Sequence, residues 1–196
     1  MFQRYNIRNL TTLMEVEKAP PSYVSSERKK FGSFRHELKS TVIKAAFFDG
    51  FFDNVNLTES DLKFILSGYS PITVTPTGEE RKVYTIHHIK PLNCMGETKT
   101  SNLIPLPRKF HDFLHEIVID PQLIGMNIGD KKVLFAMPDF SKITLQMMQD
   151  PSFRIQYHKY LVDTYHMLPR SFDKHGRKKD QQQIARWYET NFGHLK

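Results

Sequence analysis

Four of the chain's nine histidines fall within 29 residues: an adjacent pair, His87 and His88, and a pair four apart, His111 and His115. The stretch from Tyr84 to His115 reads YTIHHIKPLNCMGETKTSNLIPLPRKFHDFLH and also holds Asn102. This spacing limits how the segment can fold. Neighbours on a strand point to opposite faces, whereas residues four apart on a helix stand one above the other. Lys82 to His88, rich in β-branched and aromatic residues, reads as a strand. Asn93 to Ser101, with Gly96 and many small polar residues, reads as a loop. Asn102 to Leu106 is a short apolar return strand, and Pro107 sits at or near the first turn of a helix to about Ile119. In that helix Phe110, Leu114, Ile117 and Val118 follow the spacing of a buried face, with His111 and His115 on a neighbouring one.

His87 and His88 therefore cannot easily join both helix histidines around one ion. One of them completes a three-histidine site with His111 and His115, and the other stands free beside it. Three protein ligands with open positions is the catalytic arrangement of a metal, whereas structural sites close with four. A closed structural site and a set of unrelated core histidines remain the alternatives at this point.

The pattern His-His, thirteen residues, Asn, eight residues, His, three residues, His resembles that of the HNH, or ββα-metal, endonucleases. The nuclease domains of colicins and S-type pyocins are most similar, with fourteen residues in the first gap. Gly68-Tyr69-Ser70-Pro71, Arg81 six residues before the first histidine, His88-Ile89-Lys90-Pro91-Leu92 and Gly96-Glu97 extend the likeness over residues 33 to 117. The family pairs its arginine with a glutamate four residues on, where this chain has Thr85.

The resemblance implies that His87, His111 and His115 are metal ligands, that His88 is the general base, and that Asn102 pins the loop that orients it. Arg81 would hold a phosphate oxygen, or failing it Arg108 or Lys109. One divalent ion is implied, with zinc, nickel, magnesium and manganese all open: imidazoles suit transition ions, whereas magnesium prefers oxygen. The implied activity is hydrolysis of DNA phosphodiesters. The implied setting is a bacterial toxin or effector acting in the cytoplasm, delivered into another cell by a secretion system and restrained by an acidic immunity protein. Two other readings stay open: a degenerate, inactive HNH unit in a DNA-binding or regulatory protein, and an RNase using the same site, since this chemistry does not read the sugar.

Charge agrees with a polyanionic partner such as double-stranded DNA. The net charge is +7 over 196 residues. It is uneven: residues 151–196 hold nine Lys and Arg against four Asp and Glu, so five of the seven charges lie there. Lys174, Arg177, Lys178 and Lys179, in a predicted loop over 168–180, are candidate phosphate contacts. The single cysteine, Cys94, excludes an internal disulfide. No segment approaches 18 apolar residues, so no membrane span is expected.

Elsewhere, residues 17–31 read as a linker. Ser33 caps a helix to about Phe48 with Leu38, Val42, Ala45 and Ala46 as its stripe. Thr58 to Asp61 is a capping box for a helix closed by Gly68. Lys131 to Met137 reads as a strand, Asp150-Pro151 opens a helix to about Met167, and a last helix covers 181–192. The expected fold is α+β, mostly helical around a ββα-metal unit. Its parts are an N-terminal segment and linker (1–32), a nuclease core (33–120) and a basic helical extension packed on it (121–196).

Overall fold

The computed structural model describes residues 3–165, apart from 34 and 54. The described chain is mixed α and β, with helices outweighing three two-stranded antiparallel sheets. The order is β1 (Thr11–Glu17), α1 (Pro21–Ser33), α2 (Arg35–Phe48), α3 (Glu59–Leu66), β2 (Ile72–Val74), β3 (Glu80–Lys82) and β4 (Tyr84–His88). Then come β5 (Leu103–Pro107), α4 (Arg108–Phe113), α5 (Asp120–Leu123), β6 (Lys131–Pro138), α6 (Leu145–Gln149) and α7 (Pro151–Tyr165). A π-helical turn, Leu114–Ile119, joins α4 to α5. Among the described residues no helix is long and apolar enough to cross a membrane.

The ribbon β4–β5 lies between two cores. Tyr84 is buried with Ile43, Phe52, Ile65 and Leu145, and Ile86 packs against that group. Leu106, on β5, is buried in the larger core with Phe110, Leu114, Val118, Leu134, Phe153 and Tyr157. The larger core also takes Ile7 and Val16 from the N-terminal segment. Strand β1 pairs with β6, Thr11 opposite Pro138 and Glu17 opposite Lys131. Residues from both ends of the described chain thus close over the helix that carries His111 and His115.

Polar groups tie these layers together. Buried Gln122 donates to the carbonyls of Val118 (2.8 Å) and Phe135 (3.0 Å) and accepts the Phe135 N–H at 2.9 Å. The Tyr157 hydroxyl, fully enclosed, donates to the Ala136 carbonyl at 2.6 Å. Ala136 takes a positive φ of 49°, where the pairing of β1 with β6 also shifts register between Thr12 and Met14.

Several expectations need correction. Residues 17–31 are no linker: Pro21 begins α1, a fixed φ and a missing N–H being harmless in a first turn. The predicted strand from Lys82 is split, since Lys82 ends the β2–β3 hairpin and β4 begins at Tyr84. Asn102 lies in a 3-10 turn before β5. On α2, Val42 and Ile43 are buried while Ala45 is exposed. The Thr58 capping box is present, Asp61 N–H donating to Thr58 Oγ1 at 3.1 Å and Thr58 N–H to Asp61 Oδ2 at 2.9 Å. Gly68 (φ 81°) follows that helix so closely packed on Ser40 that a Cβ would lie 1.9 Å from its Oγ. The predicted 168–180 loop and 181–192 helix lie outside the described residues.

One buried group makes stability sensitive to acid. His158, on α7, is 4 % exposed, and burial holds its imidazole down at about 4 against an ordinary 6.5. Between those values the unfolded chain binds a proton that the folded one does not, so stability falls as pH drops from 6.5 towards 4. Denaturant titrations at pH 7 and pH 4 should show His158→Gln losing up to ~3 kcal/mol less than the wild type over that interval. An equal loss in both proteins would contradict this assignment.

Candidate metal centre

The alternation of β4 sorts its histidines. Tyr84 and Ile86 face the smaller core, so His88 shares their side of the strand and His87 faces the other way. On that other side α4 and the π turn present His111 and His115. The ligand atoms of His87, His111 and His115 all lie within 4.8 Å of one another. The ring centroids are 5.3 Å apart for His87 and His111, 5.1 Å for His87 and His115, and 4.7 Å for His111 and His115. These three imidazoles are close enough to hold one metal ion.

Their surroundings favour ligation. His87 is 2 % exposed, and its buried Nδ1 has no hydrogen-bond partner among the described residues. A buried polar atom without a partner costs ~1–3 kcal/mol, and a cation beside the ring offsets such a cost. Burial, then the neighbouring His115, His111 and His88, hold the His87 imidazole well below its ordinary value. Burial also lowers His111, against the opposing pull of Asp112. A neutral imidazole has a lone pair for a metal, and three neutral nitrogens suit a transition ion.

Two carboxylates orient the helix pair. Asp112 Oδ1 lies 3.2 Å from His111 Nδ1, and Asp120 Oδ1 lies 3.6 Å from His115 Nδ1. With His111 Nδ1 bonded to a carboxylate, its Nε2 is the nitrogen left to bind a metal, as outer partners of metal-bound histidines usually arrange, while Asp120 stands beside His115 Nδ1 just beyond hydrogen-bond distance. The Asp120 contact depends on the π turn. Residues five apart in an α-helix diverge around the axis, whereas a wider turn brings them near one side. Pro121 has no N–H to continue an α-helical ladder, and the Asp120 N–H instead bonds back to the His115 carbonyl. Phe140, from the loop after β6, closes on the His87 ring with centroids 6.5 Å apart.

His88 has separate partners. Its Nε2 lies 3.3 Å from Thr98 Oγ1, and the Phe31 ring meets it edge-on at 5.1 Å. Thr98 Oγ1 spends its one proton on the Glu27 carbonyl at 3.1 Å, so towards His88 it can only accept. Nε2 therefore carries the His88 proton, and Nδ1 keeps the lone pair. Burial lowers His88, the Glu27 charge opposes this, and His115 is near enough to add to the lowering.

The loop between the strands is stapled by Asn102. Its Oδ1 accepts the Lys90 N–H at 2.8 Å, and its Nδ2 donates to the carbonyls of Lys90 (3.0 Å) and Glu97 (2.9 Å). Gly96 lets the loop close, since a Cβ there would lie 1.9 Å from the Lys90 carbonyl oxygen. Cys94 is buried and takes no part in the cluster, burial pushing its thiol up to about 11.

The candidate phosphate contacts fall elsewhere. Arg81 sits on the exposed β2–β3 hairpin with its guanidinium 2.7 Å from Glu79. Arg108 and Lys109 are exposed in the first turn of α4, Arg108 Nε lying 4.0 Å from Asp112. Lys174, Arg177, Lys178 and Lys179 lie outside the described residues. Sequence reasoning did not find Asp112, Asp120, Thr98, Glu27 or Phe31. Of these, Asp120 alone stands beside a sequence signal, Pro121, and that marks a break in a helix rather than a partner for His115.

Compared with protein-family models, curated protein sequences and solved structures, the chain matches none.

The geometry sets an order of affinities. Calorimetric titration with zinc should show one site. It should be severely weakened in His87→Ala, His111→Ala and His115→Ala, and weakened ~10–100-fold in Asp112→Asn and Asp120→Asn. Unchanged affinity in both aspartate variants would mean that the carboxylates do not orient the ligands.

Proposed function

We propose that the chain is a metal-dependent endonuclease of the HNH, or ββα-metal, class, hydrolysing phosphodiester bonds in DNA. The observation that carries this reading is a cluster of three imidazoles with a fourth, His88, one residue away on the opposite side of the same strand. A structural metal site has no use for that fourth ring, whereas hydrolysis needs a base beside the ion.

In this reading His88 takes the proton of an attacking water at Nδ1, the nitrogen with the lone pair. A divalent ion held by His87, His111 and His115 would supply Lewis-acid stabilisation to the scissile phosphate and the departing 3′ oxygen. Asn102 keeps the loop shut behind His88. Arg108 and Lys109, exposed at the start of the helix that carries His111, bind flanking phosphate oxygens. Arg81 is held by Glu79 on the hairpin and joins them only by exchanging that partner for phosphate. The net charge of +7 supports a nucleic-acid substrate. The basic residues 174–179 extend the contact along the backbone, and an antibacterial toxin or effector restrained by an acidic immunity protein is the setting.

Purified protein incubated with plasmid and a divalent ion should nick and linearise it, and EDTA should stop the reaction. His88→Ala should lose ~10²–10⁴-fold in rate, the contribution of a positioned base, while binding zinc as the wild type does. A parallel digest of transfer RNA separates DNase from RNase. Zinc binding without cleavage of either nucleic acid would contradict the enzyme and favour an inactive binding protein. Loss of zinc by His88→Ala, with retention by His87→Ala, would exchange the roles of the adjacent pair.

A further inference from the structure

We propose that Glu27 and Thr98 are positioning residues for His88, the helix α1 carboxylate clamping Thr98 and the Thr98 hydroxyl fixing the His88 ring in one tautomer. The proposal deepens the nuclease reading and rests on it for its catalytic consequence. Glu27 is 3 % exposed, the single buried residue of a helix that is otherwise half-exposed or exposed. Burying a carboxylate is costly unless its oxygens are matched. Here Oε1 takes the Lys30 ammonium and Oε2 takes the Thr98 N–H at 2.6 Å.

Those contacts alone would only fasten α1 to the loop. Two further features converge on His88 instead. First, the Thr98 hydroxyl donates to the Glu27 carbonyl, so the same residue grips Thr98 at both its N–H and its O–H. The oxygen is left with only acceptor capacity, and that meets His88 Nε2 at 3.3 Å. Second, Phe31 lies one helical turn beyond Glu27 on the same face of α1, and its ring packs against the His88 imidazole. One face of one helix thus addresses a ring nitrogen, through Thr98, and the ring itself. A neutral imidazole has one lone pair, so choosing which nitrogen holds the proton chooses which nitrogen can act as base. Thr98 assigns that task to Nδ1.

The test uses the zinc-loaded full chain labelled with nitrogen-15, and reads the His88 tautomer from long-range proton–nitrogen couplings. The wild type should show the Nε2–H form. Thr98→Val should populate both tautomers and lower kcat for plasmid cleavage ~10–100-fold, part of what a base contributes, with KM and zinc affinity unchanged. Thr98→Ser, which keeps the hydroxyl, should restore both the tautomer and kcat. Glu27→Ala, which keeps the main-chain carbonyl but releases the Thr98 N–H, should shift the tautomer and kcat in the same direction by less. An Nδ1–H wild type, or a Thr98→Val protein that keeps a pure Nε2–H ring and full kcat, overturns the proposal. So does a loss of zinc affinity in step with activity, because that marks a merely structural role. A wild type that cleaves neither nucleic acid defeats the nuclease reading, while the tautomer comparison still decides the positioning.

Discussion

The site depends on the two-residue period of β4. Because successive side chains of a strand alternate, one dipeptide delivers His87 to the helix pair and His88 to the opposite side. A one-residue slip of β4 against β5 would exchange the two rings and turn Tyr84 out of its core. That register is held at one end by Tyr84 among Ile43, Phe52 and Ile65, and at the other by the Asn102 amide across the loop. Two cores and one staple therefore set the placement of four imidazoles.

The outer groups of the centre come from distant parts of the chain. Asp120 reaches His115 at the end of the π turn, where its own N–H bonds back to the His115 carbonyl and Pro121 removes one N–H from the ladder. Phe140 follows the strand that pairs with β1, and the larger core runs from Ile7 to Leu161. Glu27, Phe31 and Thr98 surround His88 from helix α1 and the loop. Helix α1 and residues 119–165 are thus walls of the site as well as packing around it.

What could be read in the sequence was local and periodic. The strand of Tyr84 to His88, the return strand, the apolar face of Phe110, Leu114, Ile117 and Val118, and the Thr58 cap each follow from patterns a few residues long. The same patterns said only that one of His87 and His88 can join His111 and His115; the choice of His87 came from the resemblance to the HNH endonucleases, and the structure brings His87 to that pair. Helix α1 was illegible because Pro20, Pro21 and paired serines look like a linker, and what draws it in is one carboxylate buried on a loop 71 residues away. Asp120 was illegible because a regular helix would point it elsewhere. The inward turn of Ile43 rather than Ala45 on α2 is set by tertiary packing on Phe52 and Ile65, which no short window contains.

X-ray absorption at the zinc edge distinguishes an open three-imidazole centre from a closed one. Three imidazole nitrogens at ~2.0–2.1 Å should be completed by light oxygen scatterers that change when a phosphodiester analogue is added. A sulfur shell at ~2.3 Å, or a fourth imidazole in a shell that the analogue leaves untouched, would mean a closed site without room for substrate.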